Sequence, residues 1–205
     1  MTPKAPIYPI GIQDFETLRR RKNVYIDKTA LIYQLVSTNQ VYFFSRPRRF
    51  GKSLLISTLE AYFRGKKELF EGLAIEQLEE EWTVYPVLHL DFSMRKYLSA
   101  DALSELLNGH LRRFETLYGR EESEISYASR FEGVIRRAFE QTGQPVVILI
   151  DEYDAPMLDT NQTPELQAEL RGLVRDFFSV LKGTNSYQRF LFITGISKFS
   201  QMSIF

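Results

Sequence analysis

Residues 41–63 read VYFFSRPRRFGKSLLISTLEAYF, and this stretch decides the fold. It begins with a short apolar run, Val41–Phe44, which has the composition of a buried strand. A basic loop follows and ends in Gly51, Lys52 and Ser53, after which apolar residues recur at helical spacing. The stretch therefore predicts a strand, a loop large enough to surround a phosphate, and a helix.

The residues at the end of this loop have the chemistry of a phosphate site. Gly51 lets the backbone approach a ligand, Lys52 brings a mobile ammonium, and Ser53 places a hydroxyl at a helix start, where free amides favour an anion. In the P-loop pattern G-x-x-x-x-G-K-[ST] the lysine reaches the β- and γ-phosphates and the hydroxyl binds Mg²⁺. The first glycine of the pattern is replaced by Arg46, and Pro47 has no N–H to offer. The loop is thus expected to start differently from the standard motif, and an ordinary basic strand-to-helix turn is the alternative.

A second motif lies about a hundred residues later. The run Val146–Ile150 is continuously apolar, as expected for a strand buried on both faces of a parallel sheet. It ends in Asp151 and Glu152, at the strand end where open α/β sheets bind ligands. An aspartate here would hold the Mg²⁺ of a nucleotide, and Glu152 is placed to polarise an attacking water. Helix capping is the alternative for Asp151.

The sequence resembles the AAA-ATPase-like proteins, a family of predicted bacterial P-loop ATPases. The family also carries arginine at the position of Arg46, so the resemblance accounts for the unusual loop. The resemblance rests on five blocks that span nearly the whole chain: Pro9-Ile10-Gly11 with Asp14-Phe15, Tyr25–Thr29, Ser45–Ser53, Leu149–Asp154 and Thr194–Phe199.

The motifs and the resemblance together predict a set of site residues. The catalytic residues are Lys52 and Glu152, and the Mg²⁺ ligands are Ser53 and Asp151. The nucleotide-binding residues are Arg48, Arg49, Phe50, Gly51, Lys52, Ser53 and Leu54. The resemblance adds Thr194 or Ser197 as a γ-phosphate sensor, with Lys198 as a phosphate or partner contact, and places Asp27 or Lys28 where it would frame the base. A polar turn after a buried strand is the alternative for the sensor segment.

The predicted fold class is α/β: a P-loop NTPase three-layer sandwich with a mostly parallel sheet. Strands are expected near Val41, Val87, Val146 and Phe190. Residues 1–40 are expected to form an extension packed on a core of residues 41–205. A fifth strand would normally follow the sensor segment, so the sequence is expected to stop before the final strand and the helical lid. The resemblance implies that relatives continue into that lid and a C-terminal nuclease-like domain of the PD-(D/E)xK type.

Helical spacing predicts two helices between the second and third strands, roughly Ala100–Tyr118 and Tyr127–Gln141. In the second helix the apolar stripe includes Phe131 and Ile135, and the arginines are expected to lie off it. A later helix carries further arginines. The second helix carries Arg130, Arg136 and Arg137, and the later helix carries Arg171 and Arg175. Either Arg171 or Arg175 is a candidate arginine finger toward a neighbouring subunit, and surface salt-bridging is the alternative. His89 is expected to be a core residue rather than a metal ligand.

Composition excludes several classes of protein. The 205 residues are 44% apolar and 25% charged, which is ordinary for a globular protein. The 26 basic and 26 acidic residues balance, so no global charge attracts nucleic acid or an anionic membrane. The chain has no cysteine and therefore no disulfide or thiolate metal site. It also lacks a long apolar run and a signal-peptide core, so the expectation is a cytoplasmic protein without membrane contact.

Three functions remain open from the sequence. The first is a Mg²⁺-dependent ATPase that uses Lys52 and Glu152. The second is a nucleotide-gated binding module with little turnover, which controls a partner, a further copy of the chain or a fused nuclease-like domain. The third is sequence-independent nucleic-acid binding through Arg46, Arg48 and Arg49, which competes with the nucleotide for the same residues.

Overall fold

Four parallel strands form one sheet in the computed structural model, which describes residues 7–196. The strands are β1 (Val41–Ser45), β2 (Val87–Asp91), β3 (Val146–Asp151) and β4 (Gln188–Gly195), in the spatial order β1-β4-β3-β2. Every neighbouring pair is parallel. The carboxyl ends of all four strands therefore lie at one edge of the sheet. The predicted α/β fold is confirmed, and the expectation that the sequence stops before a fifth strand concerns residues outside the described range.

Helices connect the strands because parallel strands need long crossovers. The described residues contain seven α-helices: α1 (Phe15–Arg20), α2 (Thr29–Thr38), α3 (Lys52–Phe63), α4 (Ala100–Tyr118), α5 (Tyr127–Thr142), α6 (Ala155–Asp159) and α7 (Pro164–Gly183). Short 3-10 turns lie at Lys67–Phe70, Ala74–Gln77 and Asn185–Tyr187. Between residues 7 and 196, none of the helices combines the length and apolar character that a membrane span requires.

The sheet is covered on both faces, because alternate strand residues point to opposite sides. On one side Ile148 and Ile150 of β3 pack in a core with α4, α5 and α7. On the other side Val147 and Leu149 pack in a second core with α1, α2 and α3. All six residues of β3 are buried, so the prediction of a strand buried on both faces is confirmed. The result is a three-layer sandwich, and the domain boundary at residue 40 stays a prediction.

The outer edge of β2 is covered by side chains from α4. The backbone groups of residues 86 and 92 bond to β3, so by alternation the carbonyls of His89 and Asp91 face away from it. Arg113 Nη2 donates to the His89 carbonyl at 2.5 Å, and His110 Nε2 donates to the Asp91 carbonyl at 3.1 Å. Arg113 Nη2 also lies 3.3 Å from His110 Nδ1, which can accept only in the neutral ring, and burial lowers the pKa of His110 and so favours that form. Two donors from one helix thus satisfy two edge carbonyls of β2.

Two arginines of α5 are buried although they lie off its apolar stripe. Arg130 and Arg137 are 4% and 9% exposed. Arg130 binds both carboxylate oxygens of Glu115 on α4, at 2.6 and 2.9 Å. Arg137 forms a second bidentate pair with Glu124, in the loop between the two helices. These arginines lie off the sheet-facing stripe, as expected, but the α4–α5 contact buries them against carboxylates.

Candidate phosphate-binding site

The loop between β1 and α3 turns sharply at its end. Gly51 has a φ of 76° in the left-handed region, which glycine adopts without strain, and Arg49 has a φ of 69°. Gly51 is the N-cap of α3, and no side chain caps the free amides of this helix. Those amides and the positive end of the helix dipole are therefore open to an anion.

Lys52 lies inside the loop rather than in solvent. It is 4% exposed, and its Nζ donates to the carbonyls of Arg46 at 3.1 Å and Pro47 at 3.3 Å. The same Nζ lies 3.3 Å from Glu152 Oε1, which belongs to the segment after β3. Lysine and glutamate, a hundred residues apart in sequence, thus form an ion pair at the carboxyl edge of the sheet.

The acidic residues after β3 are held by Thr194 of the neighbouring strand β4. The Thr194 hydroxyl donates to Asp151 Oδ1 at 2.5 Å and accepts from the Glu152 amide at 3.1 Å. Thr194 is fully buried and Asp151 is 2% exposed. Glu152 has a φ of 50°, a left-handed conformation that is uncommon for a residue other than glycine. One hydroxyl therefore fixes both the aspartate side chain and the backbone from which the glutamate extends.

These groups surround a cleft of about 470 Å³. Six of the seven predicted nucleotide-binding residues line it, together with the predicted catalytic Glu152. The lining comprises Gly11, Ile12, Gln13, Arg48, Arg49, Gly51, Lys52, Ser53, Leu54 and Glu152. Of the predicted nucleotide-binding residues, Phe50 does not line it and Lys52 does so from within the loop. The sixth, Leu54, reaches it from the first turn of α3.

Sequence reasoning missed the segment Gly11–Gln13, which forms one wall of the cleft. It has no periodicity to mark it, and the only signal was the Pro9-Ile10-Gly11 block of the resemblance. The Ser57 hydroxyl ties this wall to α3, since it accepts from the Phe15 amide at 3.0 Å and donates to the Leu54 carbonyl of α3 at 2.9 Å. The N-terminal segment is therefore part of the site.

Other predicted residues lie away from the cleft. Arg46 does not line it, and its guanidinium stacks over the Phe44 ring, 5.0 Å from the centroid. Arg171 and Arg175 are exposed on α7. Ser197 and Lys198 lie outside the described residues.

The Asp27 carboxylate bonds to the backbone around the start of α2, and the expectation that Asp27 or Lys28 frames the base stays a prediction. One carboxylate oxygen accepts from the amide and hydroxyl of Thr29, at 2.8 and 2.7 Å. The other accepts from the Ala74 amide at 2.7 Å, and these hydrogen bonds hold the pKa of Asp27 below its usual range against the opposing effect of burial. Asp27 thus ties the first residue of α2 to the turn at Ala74, and Lys28 is the N-cap of the helix.

The residues at the cleft suit a magnesium ion bound together with phosphate. Mg²⁺ prefers hard oxygen ligands and is usually held by one or two protein groups plus substrate phosphates. Ser53 lines the cleft and brings a hydroxyl, whereas Asp151 does not line it: it is 2% exposed, and its Oδ1 accepts from Thr194. Within residues 7–196 no three His, Cys, Asp or Glu side chains form a metal-binding cluster. The donor set fits a nucleotide-bound Mg²⁺.

Comparison with known proteins identifies the family. The sequence model of the family described as "Predicted AAA-ATPase" matches residues 9–205. The chain belongs to the predicted AAA-ATPase family. This predicted AAA-ATPase is 38% identical over 198 residues to the "Uncharacterized protein in vnfD 5'region" of Azotobacter chroococcum mcd 1. The match covers 96% of the chain and 38% of that relative, so the chain spans well under half of the relative's length. No solved structure matches this member of the predicted AAA-ATPase family.

Proposed function

We propose that this chain binds ATP with Mg²⁺ and hydrolyses it. The observation that carries the proposal is the convergence of Lys52, Ser53 and Glu152 on one cleft at the carboxyl edge of a parallel sheet. Ligands of open α/β sheets bind at this edge. The family description, a predicted AAA-ATPase, supports the same activity.

In this proposal each residue has one task. Lys52 leaves the loop carbonyls and binds the β- and γ-phosphates, while the amides from Arg48 to Ser53 surround them. Ser53 and Asp151 would hold Mg²⁺, which would supply positive charge against the phosphates. Glu152 loses its Lys52 partner when the phosphates arrive, and its carboxylate then orients the attacking water. Positioning and electrostatic stabilisation supply most of the rate in such sites.

A second candidate is a nucleotide-gated module with little turnover. The Lys52–Glu152 ion pair favours it, because Glu152 Oε1 lies 3.3 Å from the Lys52 ammonium and is engaged there instead of orienting a water. In that case a partner is needed to keep the pair apart after nucleotide binds. We propose two kinds of partner: a second copy of the chain that donates Arg171 or Arg175, or a nuclease-like domain in a longer protein.

Phosphate release and calorimetric titration of Mg·ATP test the two candidates. Glu152→Gln should retain ATP binding and lower turnover by a factor of about 10² to 10⁴, the usual contribution of a general base. Lys52→Ala should abolish binding. The matched controls are Glu122→Gln and Lys182→Ala, which alter exposed side chains outside the cleft. Thermal melts of each variant establish that it is folded.

The outcomes separate the candidates. Unchanged turnover in Glu152→Gln would refute its assignment to the attacking water. Nucleotide binding that survives Lys52→Ala would refute the phosphate site. Binding without turnover in the unaltered chain, lost in Lys52→Ala, would favour the gated module.

A further inference from the structure

A second, apolar cleft adjoins the phosphate cleft. Its volume is about 600 Å³, within the range of small-molecule sites. It shares Gly51 and Leu54 with the phosphate cleft, so the two spaces meet at the start of α3. We call it the apolar cleft, and it is lined by Tyr8, Pro9, Leu18, Val24, Tyr25, Ile26, Lys28, Leu31, Ile32, Leu35, Phe44, Phe50, Gly51, Leu54, Leu55, Thr58 and Phe192.

Apolar side chains are unusually exposed around this cleft. Tyr8, Ile26, Leu31 and Phe50 are 68%, 77%, 62% and 66% exposed. Single exposed apolar residues are ordinary, but a cluster of them around a concave space indicates a binding surface. The cluster surrounds the apolar cleft, which shares Gly51 and Leu54 with the phosphate cleft.

The loop itself divides its side chains between the two spaces. Arg48 and Arg49 line the phosphate cleft, whereas the next residue, Phe50, lines the apolar cleft. The left-handed backbone at Arg49 and Gly51, on either side of Phe50, accompanies this change of direction. The loop therefore presents charge to one part of a ligand and an aromatic ring to another.

The walls of the apolar cleft are tied together, so the space is formed before a ligand arrives. The Val24 amide donates to the Ile7 carbonyl at 2.8 Å, which joins the two N-terminal stretches. The Asp27 carboxylate bonds to the Ala74 amide, and the Ile75 amide donates to the Thr29 hydroxyl at 3.1 Å. The lining that remains is mostly apolar, with Lys28, the Thr58 hydroxyl and two tyrosines as its polar side chains.

We propose that the apolar cleft holds the purine base of the nucleotide and that Phe50 stacks on it. The inference rests on the proposed function, since it assumes a polyphosphate in the adjoining cleft. A ligand that fills both spaces must join a polyanion to a flat apolar group, and a purine nucleoside triphosphate has that form.

The same lining sets the selectivity of the site. A guanine-specific site needs an acceptor for the guanine N1–H and 2-amino groups, and the described lining residues include no carboxylate. Stacking recognises the π-face that every base has and favours larger rings. The cleft therefore prefers purines to pyrimidines and distinguishes adenine from guanine only weakly.

Calorimetric titration with four magnesium complexes tests this inference: ATP, GTP, CTP and inorganic tripolyphosphate, which has the phosphates but no base. Phe50→Ala should weaken ATP binding by roughly tenfold, within the range measured for loss of one base–aromatic stack. It should leave tripolyphosphate binding unchanged. Leu31→Glu, which puts a charge at the exposed mouth, should do the same. The control is Ile125→Ala, a truncation of an 84% exposed apolar residue outside both clefts.

Different results of these titrations would refute the base-site proposal and the phosphate-site proposal. Tripolyphosphate binding that is lost in Lys52→Ala supports the phosphate site whatever the cleft variants do. Equal affinity of Phe50→Ala and the unaltered chain for ATP would overturn the base site alone. An ATP-to-GTP preference of about 10⁴ or more, the range of sites that hydrogen-bond a substrate group, would overturn recognition by stacking. Failure of all four complexes to bind would overturn both proposals.

Discussion

Removal of the Thr194 hydroxyl should both destabilise the fold and lower the turnover of the site. The hydroxyl donates to Asp151 and accepts from the Glu152 amide in a fully buried position. Thr194→Val keeps the shape of the side chain and removes both contacts. A hydrogen bond to a charged group contributes about 1.5–3 kcal/mol and one between neutral groups about 0.5–1.5 kcal/mol. The expected loss in the free energy of unfolding is therefore about 2–4 kcal/mol.

Thr194→Ser is the matched variant, because it keeps the hydroxyl and loses only a methyl group. Its expected cost is about 1 kcal/mol, from one buried methyl and the small cavity left behind. Urea unfolding with linear extrapolation measures both variants, and ATP turnover provides the second readout. Turnover should fall in the valine variant, since neither acidic residue is then fixed, and persist in the serine variant.

The refuting result is a valine variant at least as stable as the serine variant. That order would mean that the methyl group, and not the hydroxyl, accounts for the contribution of Thr194. A valine variant with lowered stability but full turnover would refute the link between these hydrogen bonds and the site.

Two further predictions concern stability alone. Gly195→Ala should lower the free energy of unfolding by about 1–3 kcal/mol, because its Cβ would lie 2.4 Å from the buried Tyr153 ring. Gly172→Ala, which has open space around it on α7, should raise the free energy of unfolding by about 0.5–1 kcal/mol. Equal effects of the two substitutions would contradict the steric explanation. Burial opposes ionisation of Glu60, but a hydrogen bond and electrostatic attraction from His89 favour it, and Arg64 adds to this effect. Together they lower the pKa of Glu60 from 4.5 to about 2. The carboxylate therefore contributes stability that is fully present above about pH 4.5 and is lost as the pH falls through about 2. Glu60→Gln should cost about 1–2 kcal/mol in urea unfolding at pH 7 and clearly less near pH 2, and a pH-independent cost would contradict the assignment.

Long local patterns predicted the fold well. The helix expected at Ala100–Tyr118 has those bounds in the structure, because its apolar residues repeat over five turns and Ser99 accepts from the Ala102 amide at its start. The strand expected at Val146–Ile150 extends by one residue to Asp151. Both signals arise within one element, so they need no knowledge of its neighbours.

Contacts between distant elements could not be read in the same way. The burial of Arg130 depends on Glu115, fifteen residues earlier on another helix, and helical periodicity does not say which polar side chains a helix–helix contact will cover. His89 was expected in the core, but 25% of its side chain is exposed, since β2 lies at the edge of the sheet. Strand order, which places β2 there, is a property of the whole chain.

The candidate site lies between these cases. Lys52 and Glu152 were placed together from sequence because parallel strands end at the same edge of a sheet. The buried hydroxyl of Thr194 was predicted as a sensor of phosphate, and that role stays a prediction. Its contact with Asp151 depends on the pairing of β3 with β4, which sequence motifs do not give.

The side chains on the outer edge of β2 also bear on how this protein avoids aggregation. An open strand edge is a template onto which a strand of another molecule can add. At this edge an incoming strand meets Arg113 and His110 already bonded to the carbonyls it would use. It would have to displace both side chains before its first backbone hydrogen bond could form. Arg113 and His110 of α4 thus hinder the addition of a strand from another molecule at this edge of the sheet.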